Sequence, residues 1–219
     1  MVIVPLNTPG LKIERNVAIL NHLSADGHCE IAYRDVRVPI SNLIGEEGRG
    51  FALAQARLGT GRVHHCMRTI GQCEVALELM CERALERKAF GKHLADYANI
   101  QDWIAKSRME IEQARLLTLK AAWIMDRSGN KSARTEVAAI KVVAARLQTR
   151  VVDRAIQVFG AMGLTPDTPL AFGRALRFND GPDEVHLRSI AREELKKALR
   201  CPRRRAPCET RIRSVPSYK

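Results

Sequence analysis

The stretch RFNDGPDEVH, residues 177–186, sets Asp180, Asp183, Glu184 and His186 around a Gly-Pro break. A carboxylate works as a general base when it is ionised, within reach of a proton, and shielded enough that its proton affinity rises toward neutrality. A position just ahead of a helix start can hold one that way. The same composition also makes an ordinary exposed turn, and both readings of Asp180 stand on the residues alone. Asp183 fits equally well as a helix N-cap. Gly181 would let another backbone or a ligand approach closely. His186, beside Glu184 on the last helix, reads as a surface polar residue. His64 and His65 are neighbours, so on a helix they point about 100° apart and do not share a metal easily. The six cysteines form no CxxC pair and three fall in one predicted helix, which argues against a disulfide framework and a zinc site and fits reduced thiols better. We expect no metal.

These residues must be positioned by two kinds of element. Residues 1–45 read as extended: MVIVP, LKIERNV and HCEIAYRDVRVP make three strands at most, separated by turn residues such as Asn7-Thr8-Pro9-Gly10. Three strands are marginal by themselves, so this piece reads as part of an incomplete β-domain. From Glu46 the period becomes helical. Cys66, Ile70, Cys73, Leu77, Met80 and Ala84 form one seam. A second helix is predicted over 99–126, with Asp96 as a candidate cap and Ile100, Ile104, Ile111, Ala114, Leu117, Ala121 and Ile124 on one side. It would end at Ser128-Gly129-Asn130. A third, over 132–159, turns Ile140, Ala144, Leu147, Val151, Ala155 and Val158 inward. A fourth, over 183–199, would turn Leu187, Ile190, Ala191 and Leu195 inward. Four helices with short connections predict an antiparallel four-helix bundle over 46–199. The remainder, 200–219, is read as a basic disordered tail.

The net charge of +12 is divided unevenly. Seven basic residues against Glu209 give residues 200–219 a charge of +6, leaving +6 for the other 199 residues. No basic face with interleaved aromatics is evident, so nucleic acid is not the expected partner. No run of eighteen apolar residues occurs, so no transmembrane helix is expected, and the N-terminus lacks the features of a signal or transit peptide.

Four motifs carry a resemblance. VRVPISNLIGEEGRGF (36–51) is similar to the connection from β-domain to helical bundle in acyl-CoA dehydrogenases. RLGTGRVHHCMRTIGQCEVALELMCERALERKAFGK (57–92) resembles the first bundle helix of that family and its following loop. RAIQVFGAMGLTPDTPLA (154–171) resembles its Q-x-F/H-G-x-x-G segment. RALRFNDGPDEVH (174–186) carries DGPDEVH where most members have a Glu-Gly-Thr type sequence, and so points to the branch of family members 10 and 11. The motifs occur in family order across residues 1–199, the C-terminal half of such a protein.

The resemblance implies FAD-dependent α,β-dehydrogenation of a fatty acyl-CoA to a trans-2-enoyl-CoA, as in fatty acid β-oxidation. It assigns the base to Asp180 and close approach of the thioester to Gly181. It matches Gly59, Thr60, Gly61 and Arg62 to acyl-CoA contacts, Arg62 positioning the substrate. Arg87 matches the arginine that reaches the pyrophosphate of a neighbouring subunit's FAD, a role suited to its planar fork of donors; on residues alone it is a cation at a helix C-terminus. Phe90 and Leu94 match apolar contacts to the adenine. Gln157, Val158, Phe159, Gly160 and Ala161 match a second stretch along the dinucleotide, although Val158 and Phe159 also suit plain core packing. Pro182, Asp183 and Glu184 match flavin contacts. A homodimer or tetramer is implied, with electron-transfer flavoprotein or oxygen as electron acceptor. The implied location is intracellular, first the mitochondrial matrix, with peroxisome and cytoplasm as alternatives. The chain departs from the family by beginning after its N-terminal helical domain, so an isolated chain is expected to be inactive. The alternative is a non-catalytic helical module that pairs with full-length subunits. PLAFGRALRFND is also shorter than in relatives by about four residues, which would shift a helix end by about 6 Å and 40°. Tyr97 stands where a polar residue often helps to place the cofactor, and the tail after Arg200 does not resemble the family's end.

Overall fold

The computed structural model describes residues 1–19, 23, 27–170 and 174–200. The expected tail, apart from Arg200, and most of the shortened segment lie outside the described residues.

Two antiparallel strands, β1 (Leu11–Asn16) and β2 (Cys29–Tyr33), pair Leu11 with Tyr33 and Ile13 with Ile31, with a register shift before Arg15. Both are largely exposed, as a two-stranded piece with nothing stacked on it must be. MVIVP is not a third strand. Val2 forms a single bridge to Leu43, and the Ile3 N–H donates to the Asn42 carbonyl over 3.0 Å, which ties the N-terminus to the approach of the first long helix.

Four helices follow: α1 (Gly50–Glu86), α2 (Ala98–Ser132), α3 (Arg134–Phe159) and α4 (Asp183–Arg200). A two-residue hairpin, β3 (Lys88–Ala89) and β4 (Lys92–His93), joins α1 to α2. The seam expected on α1 is buried throughout, Cys66, Cys73, Met80 and Ala84 completely. α3 is the central helix, packed by α1, α2 and α4. Its apolar residues run nearly all round, which is what a helix surrounded by others requires. Ion pairs bridge helices at the rim: Glu74 of α1 meets Arg108 of α2 at 2.8 Å, and Glu110 of α2 meets Arg154 of α3 at 3.1 Å.

Two local expectations are corrected, and one is met. Asp96 does not cap α2. Its Oδ2 accepts the His93 N–H at 3.1 Å and closes a short 3₁₀ turn, Leu94–Asp96, while Tyr97 stands at the N-cap without a side-chain bond. α2 breaks at Gly129, which takes φ 78° and ψ 165°, where the Ser128-Gly129-Asn130 turn is expected, and a short helical turn follows up to Ser132. The apolar stripe of α4 is not inward: Leu187 and Leu195 are exposed, and only Asp183 and His186 are buried on that helix. Periodicity identifies an apolar face but not whether its cover lies within the chain.

Candidate functional site

Asp180 sits in the turn between a 3₁₀ segment, Ala175–Arg177, and α4. It adopts the left-handed region at φ 56°, which an Asp tolerates better than most residues. Gly181 follows at φ 107°, and a Cβ there would stand 3.2 Å from His186 Nε2, so both conformation and space call for glycine. The turn is anchored from three elements. From α1, Arg62 Nε donates to the Asp180 carbonyl over 3.2 Å. From α4, His186 Nε2 lies 3.3 Å from the same carbonyl, where only a ring N–H can pair. From α3, Lys141 Nζ donates to the carbonyls of Leu176 and Gly181, the latter over 3.2 Å. With its backbone held, the carboxylate remains 19% exposed, and its Oδ2 lies 3.3 Å from His65 Nε2 on α1.

The surroundings are largely buried, with Arg62 and Lys141 as the nearby cations. Lys141 has no exposed surface, and burial lowers its ammonium pKa against the opposing pull of Cys66, Asp183 and Asp180. Burial likewise lowers the pKa of His65 and His186 and pushes the Cys66 thiol up to about 12, so imidazoles and thiol alike favour their neutral forms. The Asp180 carboxylate thus lies among Arg62, His65 and Lys141 with one side still open.

Asp183 is corrected from cap to buried anion. It is the first residue of α4, 1% exposed, and its Oδ2 pairs with Arg177 Nε at 3.0 Å and Arg146 Nε at 3.3 Å. Its side chain therefore adds no open surface for a cofactor; of the expected flavin contacts here, Pro182 and Glu184 are exposed. His186 is corrected from surface polar to 4% exposed. Gly59 is buried where α1 meets Asn130 of α2, and a Cβ there would collide with that side chain. Thr60 and Gly61 lie beside it, the Thr60 hydroxyl donating to the Arg57 carbonyl over 3.0 Å.

The second group of expected residues lies elsewhere. Arg87 ends α1 with its side chain exposed, Phe90 is 99% exposed at φ 50° on the β3–β4 turn, and Leu94 packs half-buried on the core. Gln157, Gly160 and Ala161 are exposed at the end of α3, whereas Val158 is buried and Phe159 half-buried under the Arg83 guanidinium, 5.7 Å from its ring. Arg83, Arg87, Lys88 and Lys92 make this end cationic, and Arg83 Nε is buried with no hydrogen-bond partner among the described residues. Gly160, at φ 68°, has nothing within 4 Å of a Cβ position. Open backbone and an exposed ring thus lie beside this cationic group, of which Lys92 Nζ is engaged with the Asp96 carbonyl at 3.3 Å. Along α3, Lys141 and Gln157 are about 24 Å apart, so the chain does not bring the Asp180 turn and this end into one compact site.

Lys141 and the arginine partners of Asp183 are not among the residues the sequence points to, and His65 enters there only as a candidate metal ligand, not as a neighbour of Asp180. A lysine inside VAAIKVVAARL, apolar on every side, was the available signal for a buried cation. The i, i+3 spacing of Arg62, His65 and Arg68 on one helix face was another. Among the described residues no group of three metal-ligating side chains occurs, and no helix is long and apolar enough to cross a membrane.

The fold is a four-helix bundle with a carboxylate in the turn before its last helix and a group of cationic side chains at the far end. Residues 48–195 match the family profile "Acyl-CoA dehydrogenase, C-terminal domain", and the chain belongs to the acyl-CoA dehydrogenase family, a family of oxidoreductases. It is 58% identical over 201 residues to "Probable acyl-CoA dehydrogenase FadE2" of Mycobacterium tuberculosis (strain ATCC 25618 / H37Rv), covering 90% of this chain and 49% of that protein. It is 52% identical over 202 residues to acyl-CoA dehydrogenase family member 11 of Homo sapiens, covering 90% and 26% respectively. The solved structure of butyryl-CoA dehydrogenase from Megasphaera elsdenii superposes with a TM-score of 0.76 at 30% identity, over 89% of this chain and 51% of that one. The chain thus spans about half or less of the length of these relatives, whose C-terminal part it matches.

Proposed function

We propose that this chain forms the catalytic C-terminal half of a FAD-dependent acyl-CoA dehydrogenase, with Asp180 as the base that removes the α-proton of a fatty acyl-CoA thioester. The observation that carries this reading is the Asp180 turn, where three elements fasten the backbone around a carboxylate whose side chain stays partly open. Fixing the backbone leaves the carboxylate little freedom to lose when a substrate arrives. Arg62, tied to the Asp180 carbonyl, keeps α1 and the turn in register, and Gly181 gives the thioester room. FAD, when bound, would accept the β-hydride. Arg87, Phe90, Gln157, Gly160 and Ala161 would hold the dinucleotide of a neighbouring subunit; their distance from Asp180 along the bundle supports sharing across a subunit boundary. We infer that the 219-residue chain does not turn over alone, because it matches only about half of the length of these relatives.

Asp180→Asn in a protein that carries the remaining half should abolish turnover and retain flavin absorbance after gel filtration. Unchanged turnover removes Asp180 from the mechanism. A second reading, a helical module that pairs with full-length subunits, draws on the exposed Phe51, Phe90 and Leu199. It predicts that the chain alone elutes as a stable oligomer without flavin after incubation with FAD. Retained flavin bleached by an acyl-CoA would instead show that the chain is active unaided.

A further inference from the structure

His65 lies between two groups that decide where its ring proton sits. On one side Arg68 Nη2 is 3.0 Å from Nδ1. A guanidinium can only donate, so Nδ1 must be the acceptor and carry no hydrogen. The ring proton is then on Nε2, which lies 3.3 Å from Asp180 Oδ2. Arg62, His65 and Arg68 follow one another at three-residue steps along α1, so one helix face supplies the whole arrangement. We propose that Arg68 and His65 form a positioning relay for Asp180, in which Arg68 locks His65 as the Nε2–H tautomer and holds the Nε2 edge of the ring 3.3 Å from one carboxylate oxygen. This inference rests on the assignment of Asp180 as the base. The relay orients the carboxylate from Oδ2 and leaves Oδ1 to receive the substrate proton. A neutral donor stabilises the ionised base without adding the full positive charge that would hold the substrate proton off it.

The electrostatics around the ring agree. Burial is the largest influence on His65 and lowers its pKa from the ordinary 6.5. Asp180, on the turn before α4, opposes that shift, while Arg68 and His64 on α1 and Lys141 on α3 reinforce it. A neutral His65 is the form the relay needs.

Long-range ¹H–¹⁵N correlation spectra of the full chain test this without reference to turnover. The expected result is a neutral Nε2–H ring at neutral pH, titrating below its ordinary value. Asp180→Asn should lower the midpoint further, because it removes a negative charge facing the ring. Arg68→Ala should raise the midpoint and allow the Nδ1–H tautomer to form. An Nδ1–H ring in the unmodified chain overturns the relay, as does a midpoint that Asp180→Asn leaves in place. The tautomer is read without any substitution, so a variant that unfolds does not blur the answer. The two readings also fail separately. A correct tautomer with unaltered turnover of Asp180→Asn in the longer protein removes the base and keeps the contact. Lost turnover with an Nδ1–H ring removes the relay alone.

Discussion

Lys141 makes no contact with solvent, yet its ammonium ties Leu176 to Gly181, the two flanks of the Asp180 turn. Truncating it strips both carbonyls of their donor and opens a void under the turn. Unsatisfied buried acceptors and lost side-chain volume each cost on the order of 1–3 kcal/mol, so Lys141→Ala should lose about 2–4 kcal/mol in urea denaturation. His186, buried beside it, gives a pH dependence. In the unfolded chain its imidazole takes up a proton near the ordinary value of 6.5; in the folded chain burial, then Arg62 and Lys141, lower that value against the pull of the Asp180 carbonyl and Asp183. Between the two values the unfolded state binds more protons, so stability is greatest above 6.5 and falls as the pH drops toward the folded value. Urea melts at about pH 7.5 and about pH 5 should therefore differ, and His186→Gln should flatten the difference, leaving the part due to His65. Asp180 was legible as a candidate because a carboxylate next to Gly-Pro is a local feature. The bond from Arg62 to its carbonyl was not, because Arg62 lies 118 positions away in the chain.

Helix α3 and the short 3₁₀ segment after it, Gly160–Leu164, show how an element end sets up a surface. Gly160 turns the chain with a positive φ, and Gly163 then folds back against the helix, where a Cβ would stand 2.8 Å from the Ile156 Cα and 3.0 Å from its carbonyl oxygen. Backbone cannot yield as a side chain does. Gly163→Ala should therefore cost about 1–3 kcal/mol, measured by chemical denaturation, and should displace the exposed Gln157–Ala161 stretch. The seams of α1, α2 and α3 were readable from the 3.6-residue period, because their apolar faces meet inside the chain. The seam of α4 was misread by the same rule, because its stripe points where the described residues put nothing. Asp183 was misread for the opposite reason. A first-turn acid suits a cap locally, but two arginines, one from α3 and one from the preceding 3₁₀ segment, draw it inward.

At the scale of the molecule, the cationic end and the Asp180 turn are separate poles of one bundle. A chain belonging to the acyl-CoA dehydrogenase family, yet spanning half or less of the relatives described, leaves large side chains uncovered, with Phe90 at 99%, Leu199 at 82% and Phe51 at 78% exposed. Phe90 tests what such exposure is for. In this chain Phe90→Ser removes no packing and should change stability by less than about 0.5 kcal/mol. In the longer protein, if the ring covers the adenine, the same change should reduce flavin retained after gel filtration while leaving the melting transition of the bundle in place. Loss of stability in the isolated chain would instead assign Phe90 a packing role.

The sequence by itself determined the bundle, the order of its helices and the motifs that mark the family, since helical period, turn residues and short spacings are local properties of the chain. The tertiary structure alone decided which charges are buried and which carboxylate stays open. Asp180 and Asp183 lie three residues apart and read alike in the sequence, but one is turned in between Arg146 and Arg177 while the other is left beside His65. That difference arises only when α1, α3 and the turn before α4 converge, because a charge is neutralised or exposed by neighbours in space rather than by neighbours in the chain.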